Sequence, residues 1–448
     1  MTDVTIPVGQ VLGSFAAEIG SSELQPEVAQ KFRTNLLHNL ACAMGAQSVG
    51  EPMWTIVRGQ PTGPATVLCD GARVSAEYAA LANGSLMHAR AQDDTHFPAK
   101  THVGSAVVPA ALALAEETGA DGATLARAVV AGAEVAAAVG ERLAANTTAL
   151  GFRSSPVFGT LGAAAAGSVV LGLDADQTAA AIAIASSSSG GLNQTWIDGS
   201  AEYRLHLGMA ASNGIIAARM AAGGLKGAPN WYEGAAGFAR AFGGEVDGVG
   251  SDWELGNRWR IMDVTYKSYP VCAITQSPVQ IVLDMLANDD LSADQVTAIR
   301  CYLNPADRSY PGTVNSGPFG DVGATLMSAE FCVAMTLKNG EATLAGLQEF
   351  DDETIMRLVG VTEVLGDETL VNLAARVEID SSDGRTLVGE IIPDASTYGW
   401  DWAGVVDNAE AMLPEMAVDA ARLGNLVQVV EEVLELENVT PLVAATLS

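Results

Sequence analysis

The sequence predicts a mostly α-helical protein with a smaller α+β part, in which a large, discontinuous, all-helical domain is closed by an α/β lid domain. Three observations lead to this prediction. Apolar residues have helical spacing up to about residue 260, strand-like alternation follows Trp259, and helical spacing returns after Trp400. We therefore predict a helical domain over residues 1–264, a lid over 265–395, and a return to the helical domain over 396–448.

The first helical part is rich in small residues. PEVAQKFRTNLLHNLACAMG has one apolar face, formed by Val28, Phe32, Leu36, Leu40 and Met44. Further helices are predicted in SAVVPAALALAEE, ATLARAVVAGAEVAAAVGERLAA, FGTLGAAAAGSVVLG, DQTAAAIAIASSSS and LGMAASNGIIAARMAAG. The uncharged stretch 154–173 is long enough to span a membrane, but its Ala, Gly and Ser content favours closely packed buried helices.

The lid contains predicted strands and helices. VTAIRCYL alternates with period two, and ARVEID, SSDG and RTLVGEII read as a hairpin with an Asp-Gly turn. ATLMSAEFCVAMTLKNG and residues 352–359 are predicted helices, as is 419–436 in the returning tail. A lid inserted into a helical domain leaves a cleft between the two parts, and such clefts commonly bind ligands.

Composition excludes some partners. The 448 residues include 23 Lys and Arg against 53 Asp and Glu, a formal charge of −30, which repels nucleic acid and anionic lipid. We expect neither as a partner. The five cysteines are widely spaced without a CxxC pair, and the first residues lack the basic and apolar regions of a secretion signal. We therefore expect a cytoplasmic protein.

MHARAQDDTHFPAKTHVGSAVVP, residues 87–109, concentrates chemically active side chains. His88, His96 and His102 are three of only five histidines, and Asp93 and Asp94 stand between them. A polar loop before a helix N-terminus suits proton transfer on a small acid. A metal site of His88, Asp93, Asp94 and His96 is an alternative, but its spacing matches no standard zinc signature, and we expect no metal. A second alternative is that the aspartates only cap helices.

Two further stretches carry candidate residues. In DVTYKSYPVCAITQ, Lys267 stands where the helical texture ends and could bind a carboxylate, or be an exposed hinge residue. Cys272 could be a nucleophile or simply pack. In WIDGSAEYRLHLGMAASNG and ALGFRSSPVFGTLG, four residues precede small-residue helices as possible anion ligands: Tyr203, Arg204, His206 and Arg153. The sequence has no P-loop, GxSxG, HExxH or dinucleotide fingerprint.

These motifs resemble, in order and from about residue 5 to 440, those of the 2-methylcitrate dehydratase (MmgE/PrpD) family. The matching segments are NGSLMHARAQDDTH, VVPAALALAEE, VFGTLGAAAAGSVVLGL, DGSAEYRLHLGMAASNG, EGAAGFARAF and YKSYPVC. The resemblance implies a helical domain with an α/β lid, a homodimer, and an active site in the cleft. It also implies chemistry without metal or cofactor on small di- and tricarboxylic acids, such as 2-methylcitrate dehydration, cis-aconitate decarboxylation or iminodisuccinate epimerisation.

Residue by residue, the resemblance is mixed. The family's Asp-Asp-Thr matches Asp93, Asp94 and Thr95, its loop histidine matches His102, and its lysine at the lid boundary matches Lys267. Four positions depart from the family pattern. Ala91 replaces an acidic residue, Arg153 a histidine, Tyr203 a lysine, and Cys272 a histidine found in some members. These replacements remove titratable groups and supply a fixed guanidinium and a phenol instead.

We accordingly predict roles for the site residues. His102 is the base or acid, Asp93 or Asp94 orients it, Lys267 and Arg153 hold carboxylates, and Tyr203 is the partner acid. Further substrate-binding candidates are Thr95, His96, Arg204, His206, Cys272 and the lid residue Tyr310. The expected activity is that of a lyase removing a proton next to a carboxylate. Alternatives are an isomerase that uses the same enediolate and a relative that binds a ligand without catalysis.

Overall fold

The computed structural model describes residues 6–245 and 253–447. Up to residue 245 it consists of helices and short two-residue strands. The helices are α1 (Val8–Ser21), α2 (Pro26–Met44), α3 (Glu51–Arg58), α4 (Ala76–His88), α5 (Val103–Thr118), α6 (Gly122–Ala149), α7 (Ser154–Val170), α8 (Ala175–Ala185), α9 (Gln194–Asp198), α10 (Tyr203–Ala222) and α11 (Phe238–Ala241).

Small residues allow α5, α6, α7 and α10 to pack closely. Every residue of α7 is buried. At Gly162 an added Cβ would lie 2.6 Å from the carbonyl oxygen of Gly132 on α6, so the two backbones meet where neither carries a side chain. The predicted close packing of this stretch is confirmed. The one described helix long and apolar enough to cross a membrane is α6, and 83% of its most apolar window is buried within the protein.

A mixed sheet lies within residues 265–395, the stretch predicted to form the lid. The strands from residue 296 onward are β5 (Val296–Leu303), β6 (Thr362–Gly366), β7 (Ala375–Ser381) and β8 (Thr386–Ile391), in the order β6-β5-β7-β8. The β5/β6 pair is parallel and the others are antiparallel. The predicted strand VTAIRCYL and the predicted hairpin are confirmed. The sequence reading missed β6, which has only one buried position, Val364.

The lid helices differ in detail from the prediction. They are α12 (Gln276–Asn288), α13 (Pro305–Arg308), α14 (Val322–Thr325), α15 (Ala329–Asn339) and α16 (Glu353–Gly360). The segment predicted as one helix divides into α14 and α15 because Ser328 starts a new helix, its hydroxyl accepting the Phe331 N–H at 3.0 Å.

The C-terminal part returns to the first core. Its helices are α17 (Ala395–Tyr398), α18 (Trp402–Met412), α19 (Ala420–Glu431) and α20 (Thr440–Ala445). Val405 and Leu426 join the same hydrophobic cluster as Leu36 of α2, whereas Val279, Ile299 and Val377 belong to a second cluster. The described chain thus has two main cores, as a helical domain with a lid would. The predicted domain boundaries stay a prediction.

Short strands join distant parts of the chain. β1 (Ala65–Thr66) pairs with β2 (Arg73–Val74), and β3 (Thr95–His96) pairs antiparallel with β4 (Val264–Thr265). In the second pair Thr95 lies opposite Thr265. This ribbon holds the loop after α4 against the segment that enters the lid, and it therefore sets the position of the site.

Candidate active site

A cavity of about 340 Å³ lies between the two cores, and we call it the cleft. Its polar lining comes from both sides: His88, Thr95, Lys100, His102, Arg153, Ser154, Ser155, Lys267, Cys272, Asp307, Tyr310 and Asn372. Trp196, Leu326 and Met327 are among its apolar lining residues. Larger depressions beside Trp231 are lined mainly by small and apolar residues. The cleft therefore has the lining best suited to proton transfer.

His102 lines the cleft. It occupies the N-cap position of α5, and its side chain is 18% exposed. Nδ1 lies 2.7 Å from the Asp94 carbonyl oxygen. A carbonyl only accepts, so Nδ1 carries the proton and Nε2 keeps its lone pair. Burial lowers the pKa of His102 well below its usual value, so the imidazole is neutral and suited to act as a base.

Asp93 is buried beneath His102 and Lys267. Its Oδ2 accepts from Ser105 Oγ at 2.6 Å and faces His88 Nδ1 at 2.8 Å. Oδ1 has no hydrogen-bond partner among the described residues, and lies 3.7 Å from His102 Nδ1 and 3.6 Å from Lys267 Nζ. Burial by itself raises the pKa of Asp93, but interactions with His102, His88 and Lys267 lower it well below its usual value. Asp93 is thus a carboxylate that faces the proton-transfer group.

Asp94 has a different role. Its carboxylate accepts the Gly104 N–H at 3.0 Å and an Asn35 Nδ2–H at 3.1 Å. An added Cβ at Gly104 would lie 2.7 Å from Asp94 Oδ1, so a glycine is needed for α5 to begin this close. Burial raises the pKa of Asp94 to about 6. Of the two aspartates, Asp94 fits the helix-capping alternative, and only its backbone carbonyl holds His102.

Lys267 is fixed between a carbonyl and a carboxylate. Its Nζ donates to the Ala91 carbonyl and lies near Asp93 Oδ1. Ala91 and Lys100 have φ of 53° and 47°, two of five described non-glycine residues with positive φ. Such backbone strain gathers at functional sites. Ala91 therefore binds Lys267 through its backbone, and Lys267 contributes its charge to the cleft.

Arg153 lies at the N-cap of α7 and is already extensively bonded. Its Nη2 donates to His88 Nε2 at 2.9 Å, and its Nη1 contacts the Tyr203 carbonyl at 2.9 Å and His206 Nδ1 at 3.1 Å. The guanidinium stacks over Trp196, 4.5 Å from the ring centroid. Burial lowers the pKa of Arg153 to about 10, so it stays charged at neutral pH, with few N–H groups left for a substrate.

The structure places Tyr203 outside the cleft, in contrast to its predicted role as the partner acid. Its side chain is fully buried, its hydroxyl donates to the Ala89 carbonyl at 2.7 Å, and it does not line the cleft. A phenol whose proton is already bonded to the backbone is not placed to act as the partner acid. Arg204, which donates to the Tyr203 hydroxyl at 3.1 Å, and His206, which accepts from Arg153, also lie outside the lining.

His96 was also expected to bind substrate, but it points away from the cleft. Neighbouring residues of a strand face opposite sides, so Thr95 lines the cleft and His96 does not. His96 Nδ1 accepts from the Ala99 N–H at 3.3 Å, and Nε2 lies 3.7 Å from Glu141 Oε1. His96 therefore belongs to a charged cluster behind the loop.

Several cleft residues escaped the sequence prediction. Ser155 Oγ accepts the His102 N–H at 3.1 Å, and Trp196 supports Arg153. Asp307 of α13 accepts the Leu373 N–H at 2.6 Å, and burial raises its pKa. Asp307 stands three residues before Tyr310 in DRSYPG. Its closeness in sequence to that predicted site residue was the one feature that could have identified it as a cleft residue. Trp196 belongs to α9, lines the cleft and packs against Arg153.

Two groups of side chains bring three possible metal ligands together in the described part of the chain: His88, Asp93 and His102, and separately His96, Glu141 and Asp263. In the first group both ring nitrogens of His88 are hydrogen-bonded and Lys267 already faces Asp93. In the second, Glu141 is paired with Arg258 and Arg260. The combination of His88, Asp93, Asp94 and His96 considered from the sequence is not assembled, because His96 belongs to the second group.

Comparisons with known proteins identify the family of this chain. The family model for the MmgE/PrpD N-terminal domain matches residues 10–247. The chain is 26% identical over 428 residues to the cis-aconitate decarboxylase-like protein oryM of Aspergillus oryzae, covering 86% of each chain. It is 38% identical over 175 residues to human cis-aconitate decarboxylase, covering 37% of this chain and 35% of that protein. The chain belongs to the MmgE/PrpD family.

Proposed function

We propose that the protein is a lyase that moves a proton at the carbon next to a carboxylate of a small organic acid, without metal or cofactor. One observation carries the proposal. A neutral His102, with its proton on Nδ1, lines the cleft together with Lys267, and both lie within 4 Å of Asp93 Oδ1. The two relatives, named for cis-aconitate decarboxylation, support a lyase.

The elementary steps follow from these positions. His102 Nε2 takes the proton, and the C–H electron pair moves into the neighbouring carboxylate to give an enediolate. The Lys267 ammonium stabilises the negative charge, and Asp93 stabilises the imidazolium. In a dehydration the enediolate collapses, the adjacent C–O bond breaks, and the hydroxyl leaves as water with the imidazolium proton. In a decarboxylation no C–H proton is removed first: the C–C bond to a carboxylate breaks, carbon dioxide leaves, and the electron pair left on carbon takes a proton from a cleft acid such as the Tyr310 phenol, which solvent then reprotonates.

The cleft suits an acid of modest size. Its volume is at the lower end of the range of about 300–1,000 Å³ for small-molecule sites. Lys100 and Lys267 supply positive charge, while Trp196, Leu326 and Met327 provide apolar contact. An acid with one or two carboxylates and an apolar portion matches this lining.

Solvent exchange tests the proposal directly. The protein is incubated in D₂O with a panel of di- and tricarboxylic acids, cis-aconitate included, and followed by NMR. Loss of water or carbon dioxide supports the lyase, whereas C–H exchange without net change supports an isomerase. Binding without exchange supports a ligand-binding relative. Lys226→Met, which removes an exposed lysine outside the cleft, is the control for substitutions in the site.

The isomerase alternative now depends on a different second acid. Tyr203 was the expected donor, but its hydroxyl is bonded to Ala89. Tyr310 lines the cleft from the lid, and burial raises its pKa to about 12, so its phenol is protonated at neutral pH. Stereochemical scrambling of a chiral substrate that stops in Tyr310→Phe would favour the isomerase.

We also propose a cytoplasmic homodimer. Met209, Ile216 and Met220 are 50%, 39% and 48% exposed, and their spacing places them on one face of α10. An exposed apolar helix face is suited to a subunit interface. Light scattering after chromatography is expected to give twice the chain mass, and Ile216→Glu with Met220→Glu is expected to give monomers. An unchanged mass in that variant would show that α10 does not form the subunit interface.

A further inference from the structure

Arg153 meets His88 at the edge of the cleft, and this contact determines where the histidine carries its proton. A guanidinium only donates hydrogen bonds. Because Arg153 Nη2 lies 2.9 Å from His88 Nε2, that nitrogen must accept. The single proton of the neutral ring is then on Nδ1, 2.8 Å from Asp93 Oδ2, to which it donates.

We propose that Arg153 is a positioning residue that locks His88 as a neutral Nδ1–H donor, so that Asp93 keeps its full charge for His102 and Lys267. The proposal rests on the lyase function proposed above and deepens it. It also replaces the expectation that Arg153 mainly holds a substrate carboxylate. The position where the family has a histidine would then serve proton control rather than substrate binding.

The contacts of Asp93 explain why the tautomer of His88 affects catalysis. Oδ2 receives two neutral donors, the His88 N–H and the Ser105 hydroxyl, while Oδ1 receives none among the described residues. Oδ1 is the oxygen that faces His102 and Lys267. If His88 took up a second proton, its positive charge would pair with Asp93 and weaken the support that Asp93 gives to the His102 imidazolium.

Arg153 is held well enough to perform this function. Three of the guanidinium's contacts go to His88, the Tyr203 carbonyl and His206, and Trp196 supports its flat face. A second proton on His88 Nε2 would face the Arg153 N–H directly, donor against donor. Burial, followed by the charges of Arg153 and Lys267, lowers the pKa of His88 against the opposing effect of Asp93.

The His88 ring is surrounded by titratable or charged groups from each neighbouring element: Asp93 and His102 of the loop, Arg153 at α7, Tyr203 and His206 of α10, and Lys267 after β4. Of these, only Asp93 carries a negative charge at neutral pH. Removing the charge of Arg153 removes a cation that opposes protonation of His88, whereas the Asp93 carboxylate that favours it stays, so we expect that histidine to become protonated more easily.

The tautomer of His88 is measured directly with ¹⁵N-histidine-labelled, unmutated protein. With five histidines in the chain, the His88 signals are assigned from their loss in His88→Asn. We expect a proton on Nδ1, an unprotonated Nε2, and no titration between about pH 5 and 8. A proton on Nε2, or an imidazolium in that range, overturns the proposal. This readout requires no substrate, so it can fail or succeed independently of the lyase function.

Kinetics distinguish proton control from substrate binding. In Arg153→Met we expect kcat/KM at pH 6 to fall about fourfold below the variant's own value at pH 8, which is the loss produced when His88 gains a proton near its ordinary pKa of about 6.5. Adding His88→Asn, whose amide can donate to Asp93 but cannot titrate, is expected to remove that extra pH dependence. Arg240→Met, at an exposed arginine of α11, is the matched control. A higher KM at every pH with an unmoved profile would overturn the proposal and show that Arg153 binds substrate.

Discussion

Thr95 lies directly opposite Thr265 in a two-residue antiparallel ribbon. This pairing brings together groups that are far apart in the sequence, because Asp93 precedes one strand and Lys267 follows the other by two residues. The short ribbon explains how Lys267 Nζ comes within 3.6 Å of Asp93 Oδ1. It also separates the side chain of Thr95, in the cleft, from that of His96, behind it.

Replacing His102 is expected to abolish proton transfer while ligand binding persists. His102→Gln keeps a polar side chain of similar reach but has no basic nitrogen. General acid–base catalysis commonly contributes about 10²–10⁴-fold, so kcat should fall by at least about 100-fold. The measurement is C–H exchange in D₂O together with ligand affinity from calorimetry. Exchange within about tenfold of the unmutated rate would exclude His102 as the base.

Replacing Lys267 is expected to affect both catalysis and stability. Lys267→Met removes the ammonium opposite the developing charge, and loss of one such donor costs about 10²–10³ in kcat. It also leaves Asp93 buried without its nearest cation, at a cost of about 3–5 kcal/mol in the free energy of unfolding. Turnover and urea unfolding test both effects. Lys226→Met should change neither, and a stable, active Lys267→Met would contradict the assignment.

Replacing Tyr203 and Tyr310 separately by phenylalanine tests which of the two hydroxyls takes part in catalysis. Tyr203→Phe removes a hydroxyl bonded to Ala89, so we expect turnover within about threefold of normal and a stability loss of about 1 kcal/mol. Tyr310→Phe removes a hydroxyl from the cleft lining and is expected to lower turnover more. The reverse order would mean that Tyr203 reaches the reacting atoms after all.

Sequence patterns were sufficient where the signal is local. Small residues predicted the buried α7, alternation predicted β5, and the Asp-Gly turn predicted the hairpin of β7 and β8. Motif matching also named His102, Lys267, Arg153, Cys272 and Tyr310, all of which line the cleft.

Other features depend on directions that a sequence does not encode. Tyr203 begins a helix as expected, but whether its hydroxyl enters the cleft depends on where the Ala89 carbonyl lies. His96 was misplaced because two residues are too few for a period-two pattern to reveal a strand. Trp196 and Asp307 reach the cleft only through packing between elements distant in the chain.

The pH dependence of catalysis follows from the state of His102. The base must be neutral, and burial places its pKa well below the ordinary value of 6.5. The acid limb of kcat/KM should therefore lie below pH 6.5, with activity retained as the pH falls through that value. Rates measured from about pH 4 to 8 locate the limb. An acid limb at or above pH 6.5 would show that the catalytic group is not this imidazole.

Folding stability should also decline in acid, for a related reason. Burial lowers the pKa of His38, His96 and His206 from 6.5 to about 4. Between these values the three histidines bind more protons in the unfolded chain than in the folded one, so they lower the free energy of unfolding as the pH drops from about 6.5 towards about 4. They outnumber Asp94 and Glu134, whose raised pKa values act in the opposite direction. Above 6.5 these three groups have no effect. Urea midpoints at pH 7, 5.5 and 4.5 should decrease in that order, and His38→Asn, if it folds, should reduce the slope. A midpoint independent of pH would mean that these histidines take up protons as readily in the folded protein as in the unfolded chain.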